Sequence, residues 1–331
     1  MIFAVLYHIR KKMQRRLHSS PIYARVCGGD EIMKKQIKGS LCLLLATTIW
    51  GFAFIAQSVG MGKIGPFTFQ AVRCALAVLF LIPCSFLMEV KSCSVRESAE
   101  KWKNPALWKV GLICGCALFV ATSLQQVGLV YTDAGKAGFL TAMYIVWVPV
   151  LGIFLGQKPP FTIVFSVAMA VVGLYLLSCM GVTQINKGDL LLTGCALAFA
   201  VQITCIDRFA GELDGLRLNC VQALVVTVLS IPFMFLTETV SWGDVLACWK
   251  PLCFAGILSM GVAYTMQVNG QKSLEPTTAS LIMSLESVFA VLGGWWLLGE
   301  TMTLWETTGC VLVFAAVILS QLPASLFRKK A

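Results

Sequence analysis

Residues 39–62 read GSLCLLLATTIWGFAFIAQSVGMG, an unbroken run from Gly39 to Gly62 with no charged residue between Lys38 and Lys63. A helix needs about 20 apolar residues to cross roughly 30 Å of hydrocarbon, so this run is long enough to span a membrane once. Comparable uncharged runs go from Val110 to Thr132, Ala137 to Gln157, Pro159 to Asn186, Leu218 to Thr237, Pro251 to Gln271 and Thr307 to Phe327, with a shorter one from Leu190 to Ile206. Two more are each interrupted by one charge: Phe67 to Met88 by Arg73, and Thr277 to Gly299 by Glu286. That predicts ten spans. Apolar and polar residues do not alternate along them, so helices are expected rather than a barrel. The whole chain agrees: 331 residues are 58% hydrophobic and 13% charged, about half the charge that a water-exposed surface carries.

The runs repeat. Lys38-Gly39-Ser40-Leu41 returns as Lys187-Gly188-Asp189-Leu190, 149 residues later. At the same offset Val72-Arg73 faces Val221-Gln222, Ile82-Pro83 faces Ile231-Pro232, and Phe86-Leu87 faces Phe235-Leu236. Phe154-Leu155-Gly156-Gln157 matches Leu297-Leu298-Gly299-Glu300 at an offset of 143. Each half holds five spans, and five is odd, so the second half enters from the opposite side. The chain divides into a basic tail (1–37), a first five-helix repeat (38–180) and a second (187–325). An inverted repeat is the arrangement of secondary transporters that alternate access around a midplane site.

The net charge of +10 is a topology signal. With a cytoplasmic N-terminus, Lys and Arg number 21 on the inner side against 4 outside, and Arg73 lies within a span. By the positive-inside rule both termini are cytoplasmic, and nucleic acid is not the partner; the lipid bilayer is. In the tail, Phe3, Leu6, Ile9, Met13 and Leu17 are spaced as for an interfacial helix, unless translation begins at Met33. Most of the 14 cysteines lie in apolar runs, where a thiol is a small hydrophobe. Cys114-x-Cys116 lacks metal-ligand spacing and no histidine follows His18, so neither metal nor cofactor is expected.

Ile49-Trp50-Gly51, Gly65-Pro66-Phe67 with Arg73, and Ser284-Leu285-Glu286-Ser287-Val288-Phe289-Ala290 running on to Leu297-Leu298-Gly299-Glu300 together resemble the drug/metabolite transporter superfamily, EamA type. The resemblance covers residues 38–325. It implies a ten-helix basket with spans one, three, four, six, eight and nine around a central cavity, and export or exchange of small metabolites. The chain departs from the family pattern at Gln157, where glutamate is common, and at Ser287, where proline is frequent.

Glu286 sits near the middle of the ninth span, where a carboxylate costs at least ~2.5–3.5 kcal/mol. It is read either as a proton or substrate-amine site, or as a hydrogen-bonded link between helices. Arg73 is close enough to a span end to snorkel to the interface; a structural pairing is the first reading and binding of a substrate carboxylate the second. Polar and aromatic residues gather on the expected cavity helices: Trp50 and Gln57, Gln125 and Gln126, Tyr144 and Trp147, Gln202, and Tyr264 and Gln267. Such groups could bind a small-molecule substrate, with Trp50, Tyr144, Trp147 and Tyr264 foremost, although each residue taken singly reads as packing. Trp102, Trp108, Trp242 and Trp249 read as an interfacial belt. Pro83, Pro149 and Pro232 are kink or hinge positions. Gly111-x-x-x-Gly115 and Gly152-x-x-x-Gly156 read as close-packing faces.

An intramembrane enzyme is the rival from another class, but no span contains a histidine for a serine or zinc protease, and no Gly-x-Gly-Asp motif occurs. No phosphate-binding loop of the Gly-x-x-x-x-Gly-Lys type is present. A non-transporting scaffold fits the inverted repeat poorly. The expectation is therefore a transporter in the cytoplasmic membrane that exports amino acids or similar near-neutral solutes. Exchange of phosphorylated or nucleotide-linked solutes is the alternative, disfavoured because Arg73 is the one cation within a span. Two repeats in one chain can form a site alone, and a homodimer is compatible with this.

Overall fold

The computed structural model describes residues 26–89, 93–132, 134–178, 186–298 and 301–322. The tail before residue 26, Arg328-Lys329-Lys330 and the Gly299-Glu300 of the repeat motif lie outside the described residues.

Ten apolar helices follow in order: α1 Val26–Met61, α2 Pro66–Leu87, α3 Pro105–Leu129, α4 Gly135–Phe154, α5 Phe161–Leu177, α6 Lys187–Phe209, α7 Gly215–Thr237, α8 Trp249–Gln271, α9 Pro276–Trp296 and α10 Leu304–Ser320. Eight are long and apolar enough to cross a membrane, and α5 and α10 are shorter apolar helices. The protein is thus a multi-pass membrane protein with two five-helix repeats. Helices form because hydrocarbon offers backbone groups no partner outside their own segment. Their starts are encoded locally. Pro66, Pro105 and Pro276 open α2, α3 and α9, where a missing N–H costs nothing. Asn186 with Asp189 and Thr303 with Glu306 close capping boxes at α6 and α10.

Helix contacts come in mirrored pairs. α1 packs on α9 as α6 packs on α4; α1 on α8 as α6 on α3; α2 on α8 as α7 on α3. α2 packs on α7 and α5 on α10, each helix against its own repeat mate. The Lys-Gly sequence that betrays the repeat has a packing reason. A Cβ on Gly39 would stand 2.8 Å from the Gly270 carbonyl oxygen, and one on Gly188 would stand 2.7 Å from that of Gly128. Backbone meets backbone at both places, so only glycine fits.

The symmetry extends to two carboxylates that the sequence reading did not pair. Glu89, just past α2, and Glu238, just past α7, are 149 residues apart, as are Thr68 and Arg217. Glu238 accepts from the backbone N–H groups of Phe67 (2.7 Å) and Thr68 (2.8 Å) and from the Thr68 hydroxyl (2.6 Å). An anion at a helix N-terminus is favoured by the orphan N–H groups and the helix dipole. Glu89 accepts from Arg217 Nη2 (2.7 Å) and Nη1 (3.2 Å) and from Lys101 Nζ (2.5 Å). Each repeat thereby clasps the start of the other's second helix, at opposite ends of the α2–α7 pair.

Several sequence expectations change here. Trp102 is half-buried beneath the Arg217 guanidinium, 5.7 Å from its ring centre, so it is packing rather than belt. Trp108, Trp242 and Trp249 are exposed. Gly111 and Gly115 do seat α3 against Val221 and Val225 of α7. Gly152 and Gly156 do not form such a face: Gly156 has φ +85° and ends α4, and the space over Gly152 is taken by the Gln157 side chain. The helices continue through Pro83, Pro149 and Pro232. Interruptions fall elsewhere, at Met143 in α4 and at Ser284 in α9.

Candidate functional site

The two interrupted helices face each other. α4 breaks at Met143 and resumes at Tyr144; α9 breaks at Ser284 and resumes at Leu285. Both turn residues keep right-handed helical dihedrals, so each helix distorts locally rather than ending, and Tyr144 and Glu286 follow directly after the irregularity. The Tyr144 hydroxyl donates to Glu286 Oε1 at 3.0 Å, and the next residue, Ser287, donates its hydroxyl to the Gly138 carbonyl at 3.0 Å. Ser287, which stands where the family often has proline, therefore ties α9 to α4. The third approach is made by Gly51 of α1. A Cβ there would lie 2.7 Å from the Phe289 carbonyl carbon and 2.8 Å from Ala290 N. Glycine after Trp50 is what lets α1 reach the α9 backbone, and this sets the Trp50 ring beside the break.

Two polar triads hold the remaining walls. In the first repeat, Gln57 Oε1 of α1 accepts from Arg73 Nη1 of α2 at 2.8 Å and from Gln126 Nε2 of α3. In the second, Gln202 of α6 donates to Gln222 Oε1 of α7 at 3.1 Å and accepts from Gln267 of α8 at 3.2 Å. The triads draw on equivalent helices, and Arg73 and Gln222 are repeat mates at the 149 offset. Arg73 is 3% exposed, so the expected reach to the interface is not what occurs. Its guanidinium turns inward because the Gln57 carbonyl, buried on the facing helix, solvates it there.

A central cavity of about 30 Å³, room for one or two waters, lies among these groups. Trp50, Gln57, Arg73, Tyr144, Tyr264, Gln267 and Glu286 line it, and helices one, two, three, four, six, eight and nine all contribute. The six helices implied by the resemblance are all there; α2 is added through Arg73. Trp50 and Tyr264 meet edge to face, with ring centres 4.9 Å apart. Gln126 and Gln202 lie one layer back and hold Gln57 and Gln267 in place. Trp147 does not line the cavity; it is half-buried and packs on the apolar core instead. Phe54 and Phe199 line the cavity and were not singled out from sequence. For Phe54 the signal was available: Trp50, Phe54 and Gln57 stand at i, i+4 and i+7 on one helix face.

α8 carries a further irregularity. Residues Phe254–Ala263 are π-helical, ending at Tyr264. Asn219 of α7 donates to the carbonyls of Met260 (2.8 Å) and Gly261 (3.1 Å), satisfying backbone groups that the wider turn displaces. π-helical turns are frequent at functional sites. Among the described residues no cluster of His, Cys, Asp and Glu could hold a metal ion.

Comparison with known proteins bears on this geometry. The EamA-like transporter family matches the chain twice, at residues 37–179 and 186–322. An uncharacterized transporter of Archaeoglobus fulgidus is 32% identical over 299 residues, 89% of each chain. The threonine/homoserine exporter RhtA of Escherichia coli (strain K12) is 27% identical, covering 88% of this chain and 92% of its own. A crystal structure of 18% sequence identity shares the fold, with a TM-score of 0.72 over 87% of this chain and 96% of that one. The ten helices, the doubled match and the mirrored packing converge: this chain belongs to the EamA-like transporter family.

Proposed function

We propose that the protein exports amino acids or similar small, near-neutral metabolites by alternating access, with the central cavity as the substrate site. The observation that carries the reading is the meeting of the locally irregular helices α4 and α9 over a small polar cavity to which both repeats contribute. A void of about 30 Å³ admits water and no metabolite, so the site must widen to load or release its cargo. Helix breaks at the cavity supply segments able to move against the rest. The similarity to threonine/homoserine exporters supports an amino-acid cargo. A phosphorylated cargo is disfavoured because Arg73 is the one cation of the lining and shares the cavity with Glu286. The charge asymmetry supports a cytoplasmic-membrane location with both termini inside.

The test is uptake and efflux of radiolabelled amino acids by proteoliposomes, with and without a pH gradient, comparing wild type with Glu286→Gln. Flux of at least one amino acid is expected. If the gradient drives that flux and the substitution abolishes the drive, Glu286 is the coupling group. Flux indifferent to both gradient and substitution leaves a facilitator, and no flux of any amino acid overturns the export reading.

A further inference from the structure

Arg73 and Glu286 are 3% and 5% exposed and line one cavity, a guanidinium on one wall and a carboxyl group on another. Neither has an ion-pair partner among the described residues, and they do not pair with each other. That is an unusual state for two buried ionisable groups. Burying an ion without a counter-charge costs several kcal/mol, a cost that a ligand's carboxylate would offset at Arg73 and a ligand's ammonium would offset at an ionised Glu286. Here the helices hold them apart: Gln57 fixes Arg73 from the α1 side, and Tyr144 fixes Glu286 at the α4–α9 meeting. Arg73 keeps a further donor unused, since its buried Nε has no hydrogen-bond partner. The buried indole N–H of Trp50 and the Gln267 Oε1, both in the lining, are likewise unpartnered. The cavity lining therefore offers spare donors at Arg73 and Trp50 and a spare acceptor at Gln267.

We infer that this site recognises the zwitterionic head of an α-amino acid, the carboxylate held by Arg73 and the ammonium by Glu286. The inference rests on the export reading only in taking the cavity as the substrate site. A guanidinium presents paired N–H groups that fit a carboxylate, and a carboxylate accepts readily from an ammonium. Only a ligand that brings both charges neutralises both walls. An amine alone leaves Arg73 uncompensated, and an acid alone leaves Glu286 so. The charges make specificity one of charge pattern, while the aromatic walls of Trp50 and Phe199 are left to meet the side chain.

The experiment uses binding, read as ligand-induced heat stabilisation of the purified full-length protein in detergent, with flux measured in parallel. The probes are the twenty L-amino acids, and for threonine its decarboxylated form 1-amino-2-propanol and its deaminated form 3-hydroxybutyrate. Wild type is expected to bind at least one amino acid, and threonine at least about tenfold more tightly than either half-molecule. Arg73→Gln, which installs the residue of its repeat mate Gln222, is expected to bring 1-amino-2-propanol level with threonine. Glu286→Gln is expected to bring 3-hydroxybutyrate level with it. A merely structural role would weaken all three ligands together and would not exchange their order. Equal binding of threonine and either half-molecule by wild type overturns the inference, and so does binding of no amino acid. In both cases the parallel flux of other solutes decides separately whether the transport reading stands.

Discussion

Arg217 is 1% exposed and meets Glu89, Asp214, Ser98 and the Trp102 ring at once. Removing one partner of a buried pair strands the other, at a typical cost of ~3–5 kcal/mol. Arg217→Ala is expected to lower the melting temperature of the detergent-solubilised protein sharply, whereas Lys103→Ala, which breaks an exposed pair with Glu100, should leave it nearly unchanged. Glu89 lies outside the spans. Hydrogen bonds from Arg217 first and Lys101 second hold its carboxyl well below the usual carboxylate range. A depressed pKa means that the contribution is fully present above the unfolded value, about 4.3, and fades as pH falls below it. The melting difference between wild type and Glu89→Gln should therefore be flat from neutral pH down to about 5 and shrink on further acidification. A difference that vanished near neutrality would sink this account of the clasp.

The broken helices carry the argument at the scale of elements. Proline inside a helix ordinarily costs about 3 kcal/mol or more, through a lost hydrogen bond and a clash with the carbonyl four residues back. At position 287 the helix has only just restarted after Ser284, so the clash is relieved. The loss reduces to the weak 3.3 Å bond from Ser287 N to the Ser284 carbonyl and the hydroxyl bond to Gly138. Ser287→Pro should thus cost about 1–3 kcal/mol for the two bonds, read from the same melting experiment. A loss well above about 3 kcal/mol would mean that the proline ring clashes as in an undistorted helix, with α9 regular through Ser284 in the working protein.

For the whole molecule, the clasps at both ends tie α2 to α7, and under the proposed alternating access α4 and α9, irregular at the cavity, are expected to shift against each other. A Cβ on Gly138 would stand 3.9 Å from the Ser287 Cβ, within the separation that a disulfide spans. The Gly138→Cys/Ser287→Cys double variant is expected to cross-link α4 to α9 under oxidation and to stop flux, with recovery on reduction. Full flux through the cross-linked protein would show that the two helices move together.

Much of this protein was legible as sequence because hydrocarbon permits so few solutions. Run lengths gave the ten spans, the 149-residue echo gave the inverted halves, and Trp50, Tyr144, Tyr264 and Glu286 already pointed to the helices that meet at the cavity. What the sequence could not give was the direction in which a side chain on each helix turns. In a soluble helix the polar stripe marks the outside, but lipid tails are as apolar as a protein interior, so an apolar span carries no such mark. Arg73 reads equally well as reaching for the interface or for the core, and Trp147 as lining the cavity or packing behind it. Only the packed structure decided these: Gln57 waits for Arg73 on the facing helix, and the break at Met143 puts Tyr144 rather than Trp147 against Glu286. The pairing of Glu89 with Arg217, and of Glu238 with Thr68, was equally beyond reach, since each joins residues more than 100 positions apart through the contact of one repeat with the other.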